Sequence, residues 1–200
     1  MPAKSAIDTL REALKRLPGI GPKSAQRMAF HLLERDRDGA TMIVEALNFA
    51  LASVSHCTHC NNFSETEICT ICANTKRDQT LLCVVETPAD LESIEQASAF
   101  RGVYFVLMGH LAPLDGIGPD QLSVDRLTRT VADRGIREVV LATNLTVEGE
   151  STADYIASVL QNSDVVISRL ARGVPVGGEL EYMDAGTLNQ AFDERRQIQR

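Results

Sequence analysis

An α/β fold is predicted, in which a helical module leads into a small metal-stapled insert and then a parallel sheet with flanking helices. Three observations predict it. Up to residue 54, apolar residues recur at helical spacing on either side of a Pro-Gly turn. Residues 56–76 are polar and hold four of the five cysteines, with no hydrophobic period. From residue 81, short apolar and β-branched runs alternate with helical patterns.

In the helical module, Ile7, Leu10, Leu14 and Leu17 fall on one face, and Ser5 is placed as a cap. Pro18-Gly19-Ile20-Gly21-Pro22 breaks that helix. Pro22 suits the first turn of the next helix, where its missing N–H costs nothing. The second helix presents Ala25, Met28, Ala29, Leu32 and Leu33. Arg35 to Asp38 and Gly39 read as a loop, and a third helix carries Ile43, Val44, Leu47, Leu51 and Val54. The segment 56–76 is too small to build a core and needs a staple.

The sheet region has four apolar runs: Leu81 to Val85, Val103 to Met108, Val139 to Ala142, and Val165 to Ile167. Helical patterns over Asp90 to Ala97, Gln121 to Asp133 and Thr152 to Leu160 separate them. Fully apolar strands alternating with helices predict a parallel sheet covered on both faces. Val174 to Tyr182 reads as an added edge strand, and a last helix around Leu188 to Phe192 runs into a charged tail. Leu114-Asp115-Gly116-Ile117-Gly118-Pro119 nearly repeats Leu17 to Pro22, without basic residues after it, and reads as a loop of the sheet region.

Composition narrows the function. Aromatic residues make up 4% of the chain and Trp is absent, which speaks against a binder that stacks bases on aromatic platforms. No apolar run reaches the roughly 18 residues of a membrane span. The N-terminus has no apolar signal region, so a cytoplasmic location is expected. The net charge is −7, yet residues 4–37 hold eight Lys/Arg against four Asp/Glu, a local +4 that leaves −11 elsewhere. Such asymmetry fits a basic binding end on an acidic body. Charge alone fits a solvated, salt-bridged helix face better.

The turn Leu17-Pro18-Gly19-Ile20-Gly21 between two amphipathic helices has the form of a helix-hairpin-helix motif. Gly19 and Gly21 permit a tight turn and bare backbone that a phosphate can approach. The next helix aims free N–H groups and partial positive charge at that ligand. Lys23 and Arg27, spaced i, i+4, project from one face near its start. Such contacts read no base edges, so binding would be independent of sequence and sensitive to salt. The turn alone is explained equally well by a ligand-free Gly-Pro break. The flanking helices and the basic pair favour DNA. One hairpin offers few contacts, so several copies or a partner are expected.

Cys57-x2-Cys60 and Cys69-x2-Cys72 supply four thiolates for one tetrahedral Zn(II). Four cysteines close the coordination sphere, so the site is expected to be structural. His56 and His59 flank the ligands and read as bystanders or as hydrogen-bond donors to them, since four cysteines already fill the site. Cys83 lies in the first apolar run as a small core residue.

The sheet region resembles a Toprim domain, the fold of topoisomerases, primases and some nucleases. The likeness rests on Glu86 with Thr87-Pro88-Ala89-Asp90 after the first strand, on Ala142 to Glu150 after the third, and on the order of elements. In catalytic Toprim enzymes an Asp-x-Asp pair after strand three joins that glutamate to bind Mg(II). Here those positions hold Asn144 and Thr146, while Glu148-Gly149-Glu150 is kept. Glu86, Asp90, Glu148 and Glu150 would then hold a cation only weakly, and no tyrosine is placed as a nucleophile. Locally, an ordinary helix N-terminal carboxylate pair explains Glu86 and Asp90 at least as well.

In this order, hairpin, four-cysteine zinc finger and Toprim domain resemble the RecR family of bacterial recombination mediators over nearly the whole chain. The stretches that match best are Leu17 to Arg27, the clustered cysteines, Tyr104 to Pro119, Glu138 to Glu150, and Ala171 to Tyr182. The resemblance divides the chain into a helix-hairpin-helix module (1–54), a zinc finger (55–76), a Toprim domain (80–175) and a C-terminal strand and helix extension (176–200). It implies a nucleoid-associated, non-enzymatic role in recombinational repair. The chain would act with RecO and RecF to load RecA on single-stranded DNA at gaps, as a homo-oligomer, dimer or tetrameric ring. It carries DNA contact over to Lys23 and Arg27, and a partner or metal role to Glu86 and Asp90. The alternative is a Mg-dependent nuclease or topoisomerase-like enzyme.

Overall fold

The computed structural model describes residues 5–97 and 100–195. The chain divides into two units, Met1–Val54 and Ser55–Arg200. The first holds α1 (Ala6–Leu14), α2 (Pro22–Glu34) and α3 (Arg37–Ser53). Ser5 caps α1, its hydroxyl accepting from the Asp8 N–H at 3.2 Å, and Leu17 falls in the turn beyond the helix. Pro22 occupies the first turn of α2, as its ring geometry requires.

The loop expected over Arg35 to Gly39 is shorter than the sequence reading. Asp36 caps α3 by accepting from the Gly39 N–H at 2.9 Å, so the helix starts at Arg37. A Cβ on Gly39 would lie 2.1 Å from the Asp36 carboxylate, so this glycine makes room for a cap instead of opening a loop. Only Ala25 and Ala29 are buried among the described residues of the three helices. Along α3, Met42, Ile43, Val44, Leu47, Phe49 and Leu51 are half exposed or more.

The second unit opens with a two-stranded antiparallel ribbon, β1 (Ser55–His56) and β2 (Phe63–Ser64). There follow β3 (Asp78–Val85), α4 (Pro88–Gln96), β4 (Gly102–Val106), α5 (Val124–Asp133), β5 (Glu138–Leu141), α6 (Val147–Leu160), β6 (Val166–Arg169) and α7 (Ala185–Asp193). The four long strands form a parallel sheet in the order β4-β3-β5-β6. Alternate side chains serve opposite faces. Leu82, Val84, Val103, Phe105, Val139 and Leu141 pack with Leu127 and Val131 of α5 and Ile156 and Leu160 of α6. Cys83, Val85, Tyr104 and Val106 pack with Leu91 of α4 on the other face. Burial on both sides is why these strands read as continuous apolar runs.

Several boundaries move for local reasons. Residues Pro119–Gln121 form a separate 3-10 turn, so α5 begins at Val124. Thr146 caps α6 by accepting from the Gly149 N–H at 3.1 Å, which starts that helix five residues before Thr152. The edge strand expected over Val174 to Tyr182 is absent from the described residues. Pro175 offers no N–H to a ladder, Gly177 is left-handed at φ 85°, and Leu180–Tyr182 closes into a 3-10 turn. The end of the expected charged tail, 196–200, lies outside the described residues. The internal echo is conformational too. Gly19 and Gly116 share the left-handed region, at φ 77° and 76°, and Gly21 and Gly118 are extended caps before Pro22 and Pro119. The second copy continues into only three residues of 3-10 turn, which fits its reading as a loop. No helix among the described residues is long and apolar enough to cross a membrane.

Gly102 enters β4 beside β3, where a Cβ would lie 2.3 Å from the Leu81 carbonyl oxygen and 2.6 Å from the Phe100 ring. Gly102→Ala should therefore lower stability by about 1–3 kcal/mol, the usual cost of forcing extra volume into a packed site. Urea denaturation followed by circular dichroism measures it.

Candidate functional site

Three chemical features stand out: the hairpin, the cysteine cluster, and the carboxylates after β3. In the hairpin, Gly19 needs the left-handed conformation that glycine adopts without strain. Gly21 does not: its φ of −84° and ψ of 174° suit any residue, and a Cβ there would meet nothing within 4 Å. The space around Gly21 makes no steric demand for a bare backbone. The first turn of α2 has no acidic residue and no side-chain cap. Its first N–H groups lack helical acceptors, as at any helix start, and the first helical bond runs from Ala25 to Gly21. Lys23 and Arg27 are both exposed. Among the described residues, the ion pairs of this unit are Arg11–Asp8 and Lys15–Glu12, which leave both Lys23 and Arg27 out.

Cys57, Cys60, Cys69 and Cys72 are buried and place their sulfurs within 4.8 Å of one another. Tetrahedral zinc with bonds of about 2.3 Å requires sulfurs about 3.8 Å apart, which this cluster fits. Backbone N–H groups support the sulfurs: Cys69 donates to Cys57 Sγ at 3.3 Å and Cys72 to Cys69 Sγ at 3.5 Å. The Cys60 and Cys69 sulfurs lie 3.5 Å apart. Their hydrogen bond pulls the Cys69 pKa down and pushes that of Cys60 up. His56 bonds through Nδ1 to the Asn61 carbonyl at 2.9 Å, and both histidines stand outside the four-sulfur cluster. Burial, then the Arg134 guanidinium, lowers the His59 pKa and favours its neutral form. Cys83 lies apart in β3, where burial pushes its pKa up to about 12.

The knuckle is tied to the sheet by residues the sequence reading did not single out. The Val106 N–H at the end of β4 donates to the Cys60 carbonyl at 2.8 Å. Asn61, left-handed at φ 63°, returns the contact by donating Nδ2 to the Val106 carbonyl at 2.7 Å. Arg126 of α5 donates to Asn61 Oδ1 at 2.8 Å and also to the Cys57 carbonyl. The available signal was the Asn61-Asn62 pair directly after Cys60, since asparagine tolerates the left-handed region. The long-range partner Arg126 left no local signal.

The carboxylates after β3 and β5 take separate roles. Glu86 is buried, and its Oε1 accepts from the Asn144 N–H at 2.8 Å. Its Oε2 accepts from Asn144 Nδ2 at 2.9 Å and lies 3.0 Å from His110 Nδ1. Asp90 closes a capping box, accepting from the Thr87 N–H at 2.9 Å and hydroxyl at 2.7 Å. Glu150 pairs with Arg169 at 3.3 Å and with Arg172, while Glu148 is exposed in the first turn of α6. A Cβ on Gly149 would lie 2.1 Å from the Asn144 carbonyl oxygen and 2.7 Å from Glu86 Oε1, so glycine is required beside this junction. Among the described residues, the four cysteines are the only group of three or more potential ligands gathered closely enough to hold a metal.

Two outcomes follow from the knuckle. Removing zinc with a chelator should speed proteolysis within 55–75 and hydrogen exchange at the Val106 amide, whose acceptor belongs to the knuckle. Unchanged exchange there would refute the coupling. Asn61→Ala should cost about 1–3 kcal/mol by leaving the Val106 carbonyl and Arg126 short of partners, read from the denaturation midpoint.

Comparison with protein families gives four matches along the chain. They are the RecR helix-hairpin-helix over residues 7–51, the RecR zinc finger domain of the four-cysteine type over 54–74, the Toprim domain over 80–171, and the RecR C-terminal region over 173–196. With the buried four-sulfur cluster, the zinc-finger match identifies the metal as one structural zinc. Three RecR-specific models and a Toprim model, succeeding one another along one chain, show that it belongs to the RecR family and takes part in DNA recombination and repair.

Proposed function

We propose that the chain is a non-enzymatic DNA-binding recombination mediator that works with RecO and RecF at the nucleoid to help load RecA on single-stranded DNA at gaps. The observation that carries this reading is the start of α2. Uncapped N–H groups, a bare Gly21 and the exposed Lys23 and Arg27 converge there with no acidic residue in the first turn. This is an anion site built for a phosphate, and it contacts backbone without reading bases.

The reading extends to self-association. A helix that exposes six large apolar side chains along Met42 to Leu51 fits a protein that covers them with another copy. A dimer or tetrameric ring would also multiply the few contacts of one hairpin. The runner-up, a Mg-dependent nuclease or topoisomerase-like enzyme, draws support from the Toprim match. Against it, Glu86 is engaged by Asn144 and His110, and Asn144 and Thr146 stand where the catalytic domain has aspartates.

Lys23→Ala and Arg27→Ala should each weaken binding to single-stranded DNA. Each should also flatten the log K against log salt plot by about 0.7, the share of one phosphate contact. Gly21→Ala should weaken binding while costing no more than about 1 kcal/mol of stability, because the fold has room for that Cβ and only the N-cap preference is lost. Unaltered slopes in both basic variants would leave a zinc-stapled scaffold without DNA contact. Incubation with labelled DNA and Mg(II) should give no cleavage; cleavage abolished by Glu86→Ala would establish the enzyme instead.

A further inference from the structure

We propose that the cleft between the zinc knuckle and α5 is a second phosphate site, which takes the backbone of single-stranded DNA. This rests on the DNA-binding reading above and extends it to the second unit. The cleft has a volume of about 280 Å³ and is bordered by Thr58, His59, Arg126, Arg129, Asp133 and Arg134. Three guanidinium groups and one carboxylate meet there, in a chain that carries −11 outside residues 4–37. Arg126, Arg129 and Asp133, at i, i+3 and i+7, share one face of α5, and Arg134 follows directly.

The side chains around the cleft carry cationic donors that protein groups do not fully use. Arg134 donates through Nη2 to Gln79 Oε1 at 2.7 Å, but its Nη1 is buried without an acceptor. A guanidinium N–H has no other role than donation, and leaving one buried and unpaired is costly. The His59 Nδ1 in the same wall is also buried and without a partner. Arg129 is exposed and in no ion pair or hydrogen bond among the described residues, though Asp133 stands one turn away. Arg126 is already held by Asn61 and Cys57, so it contributes fixed positive charge. Oxygens of a tetrahedral phosphate would pair with the exposed Arg129 and lie beside the Arg126 and Arg134 guanidiniums, with the Thr58 hydroxyl at the rim. The lining has no aromatic or large apolar side chain to anchor a peptide, so a phosphodiester fits better than an acidic protein segment.

The experiment uses the full chain, zinc-loaded, and a fluorescent single-stranded oligonucleotide titrated over a series of salt concentrations. Arg129→Ala removes an exposed side chain without structural partners. It should lower affinity, cut the salt slope by about 0.7, and add to the effect of Lys23→Ala/Arg27→Ala. Asp133→Asn removes the opposing charge and should tighten binding, a gain that a purely structural role for this helix face would not give. Retained zinc and an unchanged melting temperature certify each variant. If Arg129→Ala and Asp133→Asn bind as the parent does while Lys23→Ala/Arg27→Ala binds more weakly, the cleft is not a DNA site and the hairpin reading stands. If Arg129→Ala leaves DNA binding intact but weakens capture of RecO, the cleft belongs to a protein partner and the proposal falls. If the unmodified protein binds no oligonucleotide at low salt, both readings fall together.

Discussion

The sheet's outer strand β4 ends against a segment that has no core of its own, and a pair of hydrogen bonds to its main chain holds the two together. Val106 donates to the Cys60 carbonyl, and Asn61 donates back to the Val106 carbonyl. A structural zinc held by the four cysteines would constrain the geometry of Cys60 and Asn61 in turn. Four sulfurs within 4.8 Å would repel one another if all were ionised with no cation between them. Zinc converts that repulsion into coordination and takes thiolates only, so its binding free energy becomes folding free energy. Arg126 carries the constraint onward into α5. The knuckle thus closes a strand edge that would otherwise present unpaired backbone groups.

The junction around Glu86 shows how a charged site is turned to a structural use. A buried carboxylate needs either a cation or donors. Here Asn144 supplies two donors, and His110 lies at hydrogen-bonding distance. An aspartate in place of Asn144 would set a second carboxylate against Glu86 and would call for a metal to hold them together. Thr146 uses its hydroxyl to cap α6. Both positions therefore have local hydrogen-bond partners of their own.

Much of this was legible because it depends on local chemistry. Cysteine spacing gave the metal site, since knuckle geometry is set within a few residues. Continuous apolar runs gave the four strands, because burial on both faces removes the polar alternation. Ser5 and Pro22 marked helix starts through their own bonding preferences. The misreadings arose where one side chain redirected a boundary: the Asp36 carboxylate over Gly39, Thr146 before α6, and Pro175 with Gly177 in place of an edge strand. The links of Asn61 with Arg126 and of Arg134 with Gln79 bridge 65 and 55 residues, and no periodic or motif signal spans such a distance.

Net charge is a poor guide to what this molecule meets. At physiological salt a charge acts over about 8–10 Å, so the immediate neighbours of a cationic side chain matter more to a polyanion than the total charge of the chain. Contact terms survive that screening, because each neutralised phosphate releases counterions whatever the total charge of the protein. On the DNA-binding reading proposed above, the acidic remainder would disfavour approach of DNA to most of the surface and leave the few cationic spots as the places where a strand can settle. With an acidic background, a small number of arginines and lysines sets the track of the polyanion, and such a track constrains position without constraining sequence.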